Sequence, residues 1–160
     1  PILAIGFSLD ISTLSSFNIL SSILIPRYKD PSFVLKRLHK WGFLVSTIVA
    51  TIHLFGFKIL KFFTSDTQIL MHSNMLIPIG ALFQAVNTLT CINEGTSQGL
   101  GMYKVLGSGA ALALAFFSLI INKTSNLQEI WVGFIMCALI RIYVNIHFIG
   151  SKLKNIKIKK

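Results

Sequence analysis

Residues 104–121 read KVLGSGAALALAFFSLII and hold one charged side chain, that of Lys104 at the first position. An apolar run of about 18 residues is long enough to cross the hydrocarbon core of a bilayer as an α-helix. On either side of it, clusters of charge divide the chain into further apolar segments of similar length, so that five lie near residues 2–25, 41–60, 69–93, 104–121 and 127–150. The sequence therefore predicts an all-α integral membrane protein. We expect a bundle of about five transmembrane helices in a single membrane domain, residues 1–160.

The composition agrees with this class and disfavours a soluble enzyme. Hydrophobic residues make up 53% of the 160 positions and charged residues 12%, with a mean hydropathy of +0.71. Serine and histidine are scattered without a nucleophile elbow, and no glycine-rich loop follows a strand. Cys91 and Cys137 lie far apart, outside any CxxC or Cys/His cluster. We predict no enzymatic activity, no metal site and no bound cofactor.

The net charge of +10 is distributed unevenly along the predicted topology. With five crossings, eleven basic residues fall on one side of the membrane and three on the other, Lys58, Lys61 and Lys123. The positive-inside rule then makes the loop 26–40 and the basic tail 151–160 cytoplasmic. The lipid bilayer is therefore the predicted partner of these charges. No RNA-binding motif is present, so nucleic acid is not expected.

Polar residues within the spans are the candidate functional positions. Gln84, Asn87, Cys91, Glu94 and Gln98 recur at intervals of three and four, which places them on one face of a helix. Such a stripe faces a bundle interior or a water-filled cavity. Two interpretations stay open, hydrogen bonding between helices and a path for substrate or ions.

Two charged residues within spans need a physical explanation. Asp10 would cost about 2.5 to 3.5 kcal/mol on insertion scales, so it either handles a cation or proton or joins a structural pair. Arg141 requires a partner. Its depth differs from that of Glu94 by roughly 8 Å, which a long side chain and helix tilt can bridge. Asp10 lies toward the opposite leaflet, so Glu94 is the predicted partner.

Small residues recur at helical spacing in two places. Gly95 and Gly99 form a GxxxG, and Gly107, Ala111 and Ala115 follow every four residues in the next segment. This spacing lets helices approach closely. We expect both sets to mark tight helix packing.

Several motifs resemble the multidrug and toxic compound extrusion (MATE) transporters. They are the run 61–66 (KFFTSD), Ile77-Pro78, and Asn93-Glu94-Gly95-Thr96 with Gly99. The last of these is similar to the DinF-like branch, which includes plastid members. Trp131 and Arg141 match the final helix of that branch, and Pro26 matches the end of the first helix here.

The resemblance implies a cation-coupled antiporter that exports small organic solutes in exchange for protons or sodium. It implies twelve helices in two six-helix lobes, of which this chain would supply helices eight to twelve of the carboxy-terminal lobe. The amino-terminal lobe would then be a missing partner, and 160 residues alone should not transport. Other branches carry an acidic cation ligand near the position of Asn87, an amide that takes up no proton. The coupling site would lie in the absent lobe or elsewhere in this chain.

Asp10, Gln84, Asn87, Glu94, Gln98 and Arg141 are the candidates for a substrate or ion path. The predicted location is a membrane crossed several times, either the plastid envelope or a plasma or bacterial inner membrane. The alternative function is a small non-transporting membrane subunit that acts as a scaffold or assembly component of a larger complex.

Overall fold

Nearly all of the described backbone is helical. The computed structural model describes residues 2–124 and 126–158, without the side chains of residues 2–13, 57, 59 and 156–158. The helices are α1 (Ile2–Arg27), α2 (Pro31–Leu60), α3 (Thr67–Gly99), α4 (Tyr103–Ile121) and α5 (Leu127–Ile158). No strand occurs within these ranges. The predicted all-α class is confirmed.

Within the described residues, four helices are long and apolar enough to cross a membrane. They cover Pro31–Gly56, Thr67–Gly99, Tyr103–Ile121 and Leu127–Asn155. Many of their large apolar side chains are exposed, among them Phe43 and Leu114. A surface with so much exposed apolar area is suited to lipid rather than water. The chain is therefore an all-α membrane bundle.

The helix α2 begins earlier than the sequence pattern indicates. The stretch 26–40 is predicted as a loop, but the helix starts at Pro31 and continues through it. The Asp30 carboxylate accepts hydrogen bonds from the backbone N–H groups of Ser32 (3.1 Å) and Phe33 (3.3 Å), which caps the first turn. Proline is also well tolerated at the first helical position. The predicted loop is thus a three-residue turn followed by an ordered helix.

Two other helices run past their predicted ends. The helix α3 continues from residue 93 to Gly99, and α5 continues from 150 to Ile158. Most of the predicted basic tail is therefore helical. The start of α3 is capped by Asp66, whose carboxylate accepts from the N–H groups of Gln68 (2.9 Å) and Ile69 (3.3 Å). Gly101, with φ of +69°, allows the tight turn into α4.

The centre of the bundle is α3, which packs against α1, α2 and α5, while α4 packs mainly on α5. A small core of Ile25, Val34, Leu38 and Ile92 joins the end of α1, the start of α2 and the later part of α3. This arrangement brings the end of α1 and the start of α2 beside the carboxy-terminal half of α3.

The two sets of small residues differ in whether they pack against a neighbouring helix. A Cβ on Gly95 would collide with Asn18 O and Ser21 Oγ of α1, and one on Gly99 would lie 2.6 Å from Ser22 O. The GxxxG is therefore a close contact between α1 and α3, as predicted. The prediction for the second set is wrong within the described chain, because Gly107, Ala111 and Ala115 are exposed. The contact of α4 with α5 uses Gly109 and Ala113, on another side of the helix.

Candidate functional site

An ion pair joins the last turns of α3 to the middle of α5. Arg141 Nε donates to Glu94 Oε1 at 2.7 Å, and Arg141 Nη2 lies 2.6 Å from the same oxygen. The side chains are 34% and 17% exposed. The predicted partnership of Arg141 with Glu94 is confirmed. Because the two opposite charges lie in direct contact, each compensates the other.

A second contact between the same helices lies one turn further along. Ser97 Oγ donates to Asn145 Oδ1 at 2.6 Å, and Asn145 Nδ2 donates to the backbone carbonyl of Arg141 at 2.8 Å. Ser97 and Asn145 are both almost fully buried. The ion pair and this amide contact form one connected polar ladder, so α3 and α5 are held in a fixed register.

A third polar contact joins α3 to α2. His39 Nε2 and Asn93 Oδ1 are hydrogen-bonded at 3.2 Å, and Asn93 Nδ2 donates to the carbonyl of Leu89 at 2.8 Å. Asn93 is 1% exposed. Both ends of this buried amide are therefore satisfied.

The predicted stripe divides into positions with different surroundings. Gln84 is 4% exposed, Asn87 is half-buried, and Gln98 is exposed near the end of α3. No hydrogen bond reaches the Gln84 or Asn87 side chain from any residue that the structure describes. Gln84 lies roughly 15 Å along the helix from Glu94, so the structure does not bring these candidates together in one place.

An open groove of about 440 Å³ lies between α1 and α3. Leu14, Ser15, Asn18, Ile19 and Cys91 line it. Asn18 Nδ2 donates to the carbonyl of Cys91 at 3.4 Å across this contact. The lining mixes hydroxyl, amide and thiol groups with apolar side chains. Such a face is poorly matched to lipid and better matched to protein or water.

The remaining candidate, Asp10, lies in α1, but its side chain is outside the described residues. Among the residues that are described, no group of three or more His, Cys, Asp and Glu side chains could hold a metal ion.

Sequence reasoning missed Ser97, Asn93 and His39 as parts of the polar contacts. Ser97 lies about one turn after Glu94, and Asn145 lies about one turn after Arg141. Because Glu94 and Arg141 are predicted to be in contact, residues one turn further along each helix are also expected to lie close together. This spacing would have predicted the contact of Ser97 with Asn145. No comparable signal links His39 to Asn93, because that contact depends on the early start of α2.

No family model, no curated protein and no solved structure matches this chain. The resemblance to MATE transporters therefore stays a prediction that rests on the motifs quoted above.

Proposed function

We propose that these helices form the carboxy-terminal part of a cation-coupled antiporter of the MATE type, which exports small organic solutes in exchange for protons or sodium. In this proposal the chain crosses the membrane five times. The motif resemblance supports the assignment to this family, and the bundle of apolar helices supports a location in a membrane. The site itself supports transport through one observation: the buried amide of Gln84 has no hydrogen bond to any described side chain or backbone group.

A buried amide without a hydrogen bond is unfavourable by about 1 to 3 kcal/mol, and hydrocarbon offers it no partner. Gln84 is 4% exposed, and no described residue bonds to its side chain. A water, a coupling ion or a solute in a path would supply the missing partner. Asn87, about one turn away, would extend the same polar surface.

The register of the helices supports including Asp10 in this path. Asn18 of α1 contacts Cys91 of α3, and both glycines of the GxxxG contact α1 further along in the same direction. The two helices therefore run parallel. Asp10 and Gln84 each lie about two turns before these contacting residues, so their backbones are at a similar level. We assign the coupling cation to Asp10.

Glu94 and Arg141 have a different role in this proposal. Their charges already compensate each other, and the ladder beside them fixes α3 against α5. In this role they keep α3 and α5 together as one unit. Helix movement during transport then takes place at contacts other than the one between α3 and α5. Gln98, exposed at the end of α3, would lie at the mouth of the path.

An export assay tests the proposal in cells that express the complete coding sequence. Gln84→Leu and Asn87→Leu should each lower export of a fluorescent organic dye by about tenfold, the equivalent of one lost hydrogen bond. Leu82→Ala is the matched control, since Leu82 lies on the same helix with a 56% exposed side chain. Transporter amounts must be equal, because a folding defect mimics lost transport. Equal export by all three variants would contradict the path.

The coding sequence upstream of Pro1 separates the two candidate functions. Seven further hydrophobic segments are expected if the chain belongs to a twelve-helix transporter. A stop codon directly upstream would overturn the proposal and favour the small scaffold subunit.

The orientation is tested by cysteine accessibility after replacement of Cys91 and Cys137. Cysteine at Ser151, an exposed position of α5, should resist impermeant thiol reagents added outside, because its end carries most of the basic residues. Cysteine at Ser65, exposed between α2 and α3, should react. The reverse pattern would contradict the proposed orientation, and equal labelling would contradict a membrane barrier between them.

A further inference from the structure

One end of the bundle is strongly basic. The end of α1, the start of α2, the end of α3, the start of α4 and the end of α5 meet there, because short turns reverse the chain between successive helices. We call this the basic end, and its described basic side chains are all exposed: Arg27, Lys29, Lys36, Arg37, Lys40, Lys104, Lys152 and Lys154. Asp30 is the acidic residue beside them. The opposite end holds Lys58, Lys61 and Lys123 together with Asp66 and Glu129, so its charges nearly balance.

The start of α2 is packed against the rest of the bundle. Val34 and Leu38, one turn apart, are 7% and 6% exposed and pack in the small core with α1 and α3. The other side of the same turns carries Lys36, Arg37 and Lys40. These three cations are therefore displayed by a helix that is docked to the bundle, and they are not on a free loop.

Exposed aromatic side chains lie among these cations. Phe33 is 58% exposed and Trp41 56%, and the Arg37 guanidinium carbon lies 5.9 Å from the centre of the Phe33 ring. Aromatic rings beside basic residues at the end of a membrane span are typical of the head-group region of a bilayer. The helix continues directly from these turns into its apolar span, so this surface lies where head groups are found.

We propose that the basic end binds anionic phospholipid head groups, and that Lys36, Arg37 and Lys40 form the main contact. Basic side chains near an anionic membrane surface attract it, and the effect adds with each charge. The neighbouring apolar helix surface suits the acyl chains of the same lipid. A nucleic acid offers phosphates but no acyl chain, so the continuity of the cations with a lipid-facing span favours phospholipid.

The test uses the full chain in a neutral detergent, with phosphatidylglycerol as the probe and phosphatidylcholine as the zwitterionic control. Native mass spectrometry should show bound phosphatidylglycerol, and this lipid should raise the unfolding temperature more than phosphatidylcholine. The triple variant Lys36→Gln, Arg37→Gln, Lys40→Gln should bind phosphatidylglycerol on the order of a hundredfold more weakly, which corresponds to about 1 kcal/mol for each charge.

Two matched variants keep the result specific. Lys58→Gln, Lys61→Gln, Lys123→Gln removes three charges from the opposite end and should bind phosphatidylglycerol like the original chain. Lys36→Arg, Arg37→Lys, Lys40→Arg keeps the charge and should also bind normally, which would show that binding depends on the charges. Equal binding of both lipids, equal loss in the opposite-end variant, or equal stabilisation by inorganic phosphate or single-stranded DNA would each overturn the proposal.

Discussion

Two regions of α3 differ in how their polar side chains are bonded. In residues 93–97, which we call the paired region, Glu94 pairs with Arg141, Ser97 bonds to Asn145, and Asn93 bonds to His39. Gln84, near the middle of the helix, is 4% exposed, and its side chain receives no hydrogen bond from the described chain. The helix is continuous, and both regions lie within one candidate span.

This difference separates polar residues that stabilise a bundle from those available to a ligand. A satisfied polar network fixes helix positions, and removing one member leaves the others unpaired. A buried amide without a partner in the described structure does not stabilise the fold. Its presence is explained if the amide binds a ligand. A polar stripe in a membrane helix is therefore best judged by its partners.

The largest effect is expected at Arg141, the partner of Glu94 in the paired region. Arg141→Ala should lower the free energy of unfolding by about 3 kcal/mol, because the Glu94 carboxylate stays in the bundle without its counter-charge. This loss of stability is at the lower end of the range for a broken buried ion pair, because the Arg141 side chain is 34% exposed. Denaturation in mixed micelles would measure the change.

Glu94→Gln in the same background should recover part of this loss, since it removes the uncompensated charge. If the double variant is no better than the sum of the two single variants, or if Asp10→Asn rescues instead, the pairing does not stabilise the protein as described.

A smaller effect is expected where α1 packs against the paired region of α3, at Gly95. Gly95→Ala should destabilise by about 1 to 3 kcal/mol, because the new methyl group would meet the backbone of Asn18 and force the helices apart. Gly107→Ala is the matched control, since nothing lies within 4 Å of its Cβ position. That variant should be neutral or more stable by about 0.5 to 1 kcal/mol from helix propensity alone. Similar unfolding curves for both variants would refute the close contact.

Several features of the fold and of the polar contacts can be predicted from the sequence. The apolar segments, the GxxxG contact and the pairing of Arg141 follow from residue spacing and from the high cost of an unpaired charge in lipid.

Other features could not be predicted in this way. The early start of α2 depends on the cap by Asp30, which allows a helix to form in spite of the polar character of residues 31–40. The face of α4 that packs could not be chosen, because Gly109 and Ala113 are as small as Gly107 and Ala111. The absence of a described hydrogen-bond partner for Gln84 depends on neighbours from other helices, which spacing along one helix does not define.

The most direct test of the contrast compares two leucine substitutions on α3 by unfolding in mixed micelles. Asn93→Leu should lower the free energy of unfolding by about 1 to 2 kcal/mol, because it removes a satisfied amide and leaves His39 without that partner. Gln84→Leu should cause no loss and should raise stability by up to about 1 kcal/mol, since an apolar side chain of similar size replaces a buried amide to which no described residue bonds. A loss at Gln84 as large as that at Asn93 would contradict the account, because it would show that Gln84 already has a stabilising partner.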